Sequence, residues 1–104
     1  MPYIPEKDRK MLNKYILLLG HTMPDTTGCF NYVISMLCEQ YIKNKGLSYT
    51  SLNDLIGVLE CVKQELYRRI AAPYEDIKCT ENGDVFDLAG MSSTIKQTQE
   101  SKEV

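Results

Sequence analysis

The chain has 104 residues, a one-domain length, with 43% hydrophobic and 25% charged residues, which are ordinary proportions for a globular protein. Twelve Lys and Arg against fourteen Asp and Glu leave a formal net charge of −2, which excludes the strongly basic surface of a duplex-binding protein. The longest apolar run, Tyr15 to Leu19, is far too short to span a bilayer, and residues 1–10 are charged rather than apolar, so neither a membrane span nor a secretory leader is expected.

Met1-Pro2-Tyr3-Ile4 forms a short apolar arm. Pro5 suits the first helical position, where its missing N–H costs nothing, and Glu6 and Asp8 fall in a first turn whose dipole favours acids. The first predicted helix covers 5–19, with Leu12, Tyr15, Ile16 and Leu19 on one stripe and Gly20 as its stop. Residues 20–28 are punctuated by Pro, Asp and Gly and read as a loop. A second helix is predicted over 27–45, because Phe30, Val33, Ile34, Leu37, Cys38, Tyr41 and Ile42 recur at three and four, with Gly46 as its cap. Ser51 then reads as an N-cap with Asp54 in a capping-box position. The third predicted helix covers 52–72. Leu52, Leu55, Leu59, Val62 and Leu66 form a heptad-type seam, and Pro73 ends the helix. Residues 74–88 are polar with a turn at Glu81-Asn82-Gly83-Asp84. There Val85, Phe86 and Leu88 are expected to form a short strand or a docking segment, and Ile77 and Cys79 to pair across the Asn-Gly turn as a small hairpin. From about residue 90 the chain is Ser, Thr, Lys, Gln and Glu with almost no apolar content, the composition of a disordered tail.

These elements predict an all-α fold: a three-helix antiparallel bundle in one domain over 1–89, with a flexible tail over 90–104. Three such helices make a thin bundle, and the third carries more apolar residues than one neighbour covers. Each buried Leu or Val contributes about 1.5–3 kcal/mol. Leaving several exposed forfeits much of a typical stability of about 5–15 kcal/mol. A homo-oligomer, dimer or tetramer, is therefore expected. Gly57 lies mid-helix, where it costs about 1 kcal/mol relative to Ala, a cost easiest to explain by close approach of another helix or a ligand.

Cys29, Cys38, Cys61 and Cys79 form no C-x-x-C pair, and His21 has no partner at metal-ligand spacing. No metal and no cofactor are expected, and the thiols read as reduced and partly buried in a cytoplasmic protein. There is no P-loop and no G-x-G-x-x-G. Glu60 and Glu65 are five apart and make no E-x-x-E pair of the kind that holds magnesium in helical nucleotide pyrophosphohydrolases. No enzymatic activity is expected.

Four places are suited to binding. Asn53, Gly57, Glu60, Gln64 and Arg68 share one helix face, either a solvated surface or the polar wall of a site at an oligomer interface. Tyr67-Arg68-Arg69, followed by Tyr74-Glu75, either complements the C-terminal dipole or recognises a nucleotide. In the second case arginine grips phosphate through two N–H groups while tyrosine stacks on a base. Asn31-Tyr32 lies near a helix N-terminus, where phosphate is favoured, although an ordinary half-buried Tyr fits as well. Tyr3 and Ile4 of the arm pack on their own helix, pack on a neighbour or close over a ligand.

Several segments carry a family likeness: Met1-Pro2-Tyr3-Ile4, Phe30-Asn31-Tyr32-Val33-Ile34, Ile56-Gly57-Val58-Leu59-Glu60-Cys61-Val62-Lys63, Tyr67-Arg68-Arg69, Ala72-Pro73-Tyr74-Glu75-Asp76 and Asn82-Gly83-Asp84-Val85. They resemble a family of small helical proteins found mainly in phages and archaea and usually catalogued without a function. The likeness spans residues 1–87 and is most specific over 57–76. It extends to the phage anti-CBASS sponges, which are small oligomers that sequester cyclic dinucleotides and do no chemistry on them. The resemblance implies an immune-evasion protein of the infected cell's cytoplasm, one that holds a messenger such as cyclic GMP-AMP uncleaved and so blocks CBASS signalling. It assigns no ligand contacts, so the site residues follow from chemistry. Arg68 and Arg69 are expected on the phosphates, Tyr74 and Tyr3 on the bases, and Asn31 and Glu60 on base edges or ribose hydroxyls. The alternative is an oligomeric adaptor that binds another protein through its helical surface.

Overall fold

A computed structural model of the chain describes residues 2–91. Met1 and residues 92–104, which include most of the expected tail, lie outside the described residues. Four α-helices follow one another, with no strand among the described residues: α1 (Glu6–Thr22), α2 (Thr27–Lys45), α3 (Tyr49–Leu66) and α4 (Ala72–Asn82). A π-turn, Tyr67–Ala71, precedes α4, and a short 3-10 turn, Ala89–Met91, follows it. The all-α class is the one the periodicity requires. The chain divides into two units, Met1–Glu65 and Leu66–Val104.

In the first unit, α1 begins directly after Pro5, whose carbonyl accepts from the N–H groups of Asp8 (3.0 Å) and Arg9 (3.1 Å). Gly20 does not stop it. The helix runs on to Thr22 and is broken at Met23 (φ −73°, ψ 132°), because the ring of Pro24 forces the preceding residue out of the helical region. α2 has the predicted bounds. The Thr26 hydroxyl accepts from Cys29 N–H at 3.1 Å, and Gly46 leaves the helix at φ 89°, donating its N–H to Ile42 at 2.7 Å.

α3 starts three residues earlier than expected, and Ser48 rather than Ser51 is its cap. Ser48 Oγ accepts from Ser51 N–H while Ser51 Oγ accepts from Ser48 N–H, both at 3.1 Å, which makes a reciprocal capping box built from two serines. Ser51 Oγ also donates to the Gly46 carbonyl at 2.6 Å, tying the end of α2 to the start of α3.

In the second unit, the sequence expectation fails at Pro73, which neither ends the helix nor starts a polar hairpin. A proline here leaves the carbonyl one turn earlier without a donor and presses its ring against it. The backbone accommodates this by widening one turn: Ala72 N–H bonds to the carbonyl of Tyr67, five residues back, and Pro73 falls in the first turn of α4. α4 then carries Ile77 and Cys79 in helical conformation, so the expected hairpin does not form. The Asn82-Gly83 signal is a helix cap, with Gly83 at φ 87° and its N–H on Cys79 O at 2.9 Å. Val85 to Leu88 is neither strand nor helix, and Phe86 N–H turns back onto the Asp84 carboxylate at 2.9 Å.

Among the described residues no hydrophobic side chain is buried, and Ser51 is the sole buried residue. Among the described residues α1, α2 and α3 make no side-by-side contacts with one another. Inside the first unit the Tyr3 hydroxyl bonds to the Glu65 carboxylate, and Arg9 Nε donates to Ile4 O at 2.8 Å. The ion pairs Lys10–Glu6, Lys43–Glu39, Lys63–Glu60 and Lys78–Glu81 are exposed and local, each worth a few tenths of a kcal/mol.

Candidate functional site

The arm is drawn in from both ends of its reach. The Arg9 guanidinium holds the Ile4 carbonyl, and the Tyr3 hydroxyl donates to Glu65 on α3, not to its own helix. Asn31 lies in the second turn of α2, exposed, with its side-chain oxygen accepting from Ser35 Oγ at 3.2 Å. Glu60 lies on the exposed face of α3. Hydrogen bonds from Lys63 (3.1 Å) and Gln64 (3.3 Å), reinforced by the Lys63 charge, hold its carboxyl below the ordinary glutamate value. Because α2 and α3 do not pack together, Asn31 and Glu60 are not brought to one site within the chain. Among the described residues outside its own helical turn, nothing approaches within 4 Å of where a side chain on Gly57 would stand.

The second unit gathers more. Arg68 and Arg69 are exposed on the π-turn. Beside them, the Tyr67 hydroxyl donates to the Glu75 carboxylate at 3.3 Å, spanning the widened turn. The exposed Tyr74 ring carries the Lys78 ammonium 5.6 Å from its centroid, a cation–π contact that leaves the ring positioned for stacking. Two guanidinium groups, two phenol rings and a lysine thus fall within twelve residues of helical backbone, counting Tyr67 to Lys78 in the chain. Of the six expected site residues, Arg68, Arg69 and Tyr74 belong to this stretch; Tyr3, Asn31 and Glu60 belong to the first unit.

An open groove of about 450 Å³ runs between α4 and the segment after it, lined by Glu75, Asp76, Lys78, Cys79, Asn82 and residues 83–86 and 88. That volume is in the range of small-molecule sites. None of the six expected residues lines it. The turn signal predicts a hairpin where α4 forms, so the groove is not legible in the sequence, although Val85, Phe86 and Leu88 mark the segment that forms its apolar wall. The rim is acidic: Glu75, Asp76 and Asp84 outnumber Lys78, whose ammonium pairs with Glu81 at 3.1 Å. A phosphate is repelled there. Within the groove, local desolvation, and then the Asp84 and Asp76 carboxylates, raise the Cys79 thiol above its ordinary value. A thiol held protonated is a poor nucleophile.

All four cysteines are free. Among the described residues no group of three or more His, Cys, Asp or Glu is placed to hold a metal ion, and no helix is long and apolar enough to cross a membrane. No curated protein and no solved structure matches the chain. Residues 1–85 match the family of a domain of unknown function, DUF6899. That match runs from the arm through the π-turn and α4 into the groove wall, and on its extent the chain belongs to the DUF6899 family.

Proposed function

We propose that the protein is a phage immune-evasion factor: a homo-oligomer, dimer or tetramer, that binds cyclic dinucleotides such as cyclic GMP-AMP without cleaving them and so blocks CBASS signalling. The observation that carries this reading is the exposed Arg68-Arg69 pair on a π-turn, followed at once by the exposed Tyr74 ring. π-turns recur at functional sites, and this one sets cations and an aromatic face on a single stretch. A cyclic dinucleotide offers two phosphates and two bases with approximate two-fold symmetry. Two copies of the stretch, related by an oligomer axis, match it with arginine on phosphate and tyrosine on base. In this reading the bundle arises between copies. Association also brings Tyr3, Asn31 and Glu60 of neighbouring chains to the ligand's bases and riboses.

Thermal melting against cyclic di- and trinucleotides, with linear controls, tests the proposal. A ligand at a hundred times its dissociation constant adds about 2.7 kcal/mol to the native state. One cyclic class is expected to raise the melting temperature and to be recovered intact after heat denaturation. Arg68→Ala and Arg69→Ala are each expected to weaken binding by about tenfold or more, the loss of a charge-assisted hydrogen bond. Wild-type affinity in both variants defeats the assignment. Absence of any shift favours the second reading, an adaptor that binds another protein, which the many exposed apolar side chains support.

A further inference from the structure

One stretch of α1 has no polar face. At 100° per residue, Tyr15, Ile16, Leu17, Leu18 and Leu19 point in five directions that together encircle the helix axis. All five are exposed, at 60%, 61%, 60%, 64% and 39%. A helix apolar on every side belongs in an interior, whereas a surface helix keeps one polar side. Neither α2 nor α3 covers it. A lipid surface does not suit it either, because a helix lying in an interface needs an opposite polar face, and no helix here is long and apolar enough to cross a membrane.

We infer that residues 15–19 of α1 form the central seat of a homo-oligomer interface, enclosed on opposite sides by helices of a second copy of this chain. The inference deepens the self-association in the proposed function and is independent of its ligand. The occupant follows from composition and charge. The complement is present in every copy: Phe30 and Leu37 on α2, and Leu59 and Val62 on α3, are exposed apolar side chains at helical spacing with no partner helix in their own chain. Charge supports the same choice, since Glu6 to Lys10 and Lys14 keep the N-terminal half of α1 wet while residues 15–19 carry none.

The chain has no tryptophan, so Tyr15→Trp and Leu17→Trp each place a single reporter, about 200° apart around the helix. Without any nucleotide present, native mass spectrometry of the full wild-type chain is expected to show two or more copies. Both reporters are expected to emit at short wavelength and to resist acrylamide quenching. Leu17→Lys is expected to move the assembly midpoint to roughly tenfold higher protein concentration or beyond, because it buries an unpaired charge. A wild-type monomer overturns the inference whatever the variants do, and so does one reporter quenched as freely as free tryptophan. An intact oligomer that ignores every nucleotide leaves this inference standing and removes only the ligand.

Discussion

The Ser51 hydroxyl accepts from Ser48 N–H and donates to Gly46 O, and Ser51 is the buried residue among those described. Residue-scale chemistry of this kind depends on neighbours a few positions away and is stable against the arrangement of everything else. Cys79 is a second case. Its thiol is raised by local desolvation and by Asp84, which also hydrogen-bonds it, so at neutral pH it is a protonated thiol and its alkylation is slow. The sign is plain: a raised value means the thiolate appears only as pH climbs past the ordinary cysteine range. Asp84→Asn removes a negative charge that disfavours the thiolate, so the value falls and the rate at mildly alkaline pH rises. Peptide-resolved iodoacetamide labelling is expected to show Cys79 reacting faster in the variant at mildly alkaline pH, while equal rates contradict a contribution from Asp84. The candidate site was readable at this scale only by residue type. Arginine, tyrosine and glutamate were named for what they bind, and Arg68, Arg69 and Tyr74 do share one stretch. The separate partners of Tyr3, Asn31 and Glu60 (Glu65, Ser35, and Lys63 with Gln64) carry no signature in spacing.

At the scale of elements, the outcome follows where the stop and start signals are strong. α2 has a Thr26 cap at one end and a positive-φ glycine at the other, so its bounds were legible. Gly20 is a weaker signal than Pro24: glycine tolerates a helix at a cost of about 1 kcal/mol, whereas proline disfavours the helical region at the residue before it. Ser48 and Ser51 both have capping chemistry. The first prevails because it opens a reciprocal pair and because Ser51 then reaches the Gly46 carbonyl. Ser48→Ala is accordingly expected to cost about 1 kcal/mol. Calorimetry should show this as a fall in melting temperature of about 4–8 °C for a domain of this size. A variant melting with wild type removes the capping role. Pro73 was the hardest element to read. Whether a proline ends a helix or is absorbed by a π-turn depends on whether the following segment gains from staying helical. Here Ala72 N–H finds the Tyr67 carbonyl, and α4 runs to its own glycine cap.

For the whole molecule the decisive fact is the missing interior. With no apolar side chain buried among the described residues, stability comes from helix hydrogen bonds, caps and a few exposed ion pairs. On the proposed self-association, the melting temperature is expected to rise with protein concentration. Differential scanning fluorimetry over a hundredfold range of concentration measures this directly. A constant value shows that one chain is stable without its neighbours. The tail expected over residues 90–104 enters here only through Gly90 and Met91, which close a 3-10 turn with Met91 N–H on Leu88 O at 3.1 Å.

Periodicity and local stereochemistry suffice for the helical class, for α2, for the start of α1 and for Gly46 and Gly83 as conformational breaks, because each depends on interactions within about one helical turn. The apolar seams and the all-apolar stretch of α1 were equally readable as demands for burial. What answers those demands is not a short-range property. The π-turn at Pro73, the groove beside α4, the hold of Glu65 on Tyr3 and the absence of packing among α1, α2 and α3 each turn on backbone bonds or contacts that spacing does not encode. A sequence states how much apolar surface its helices must hide; only three-dimensional arrangement decides what hides it, and among the described residues that surface stays exposed or half-buried.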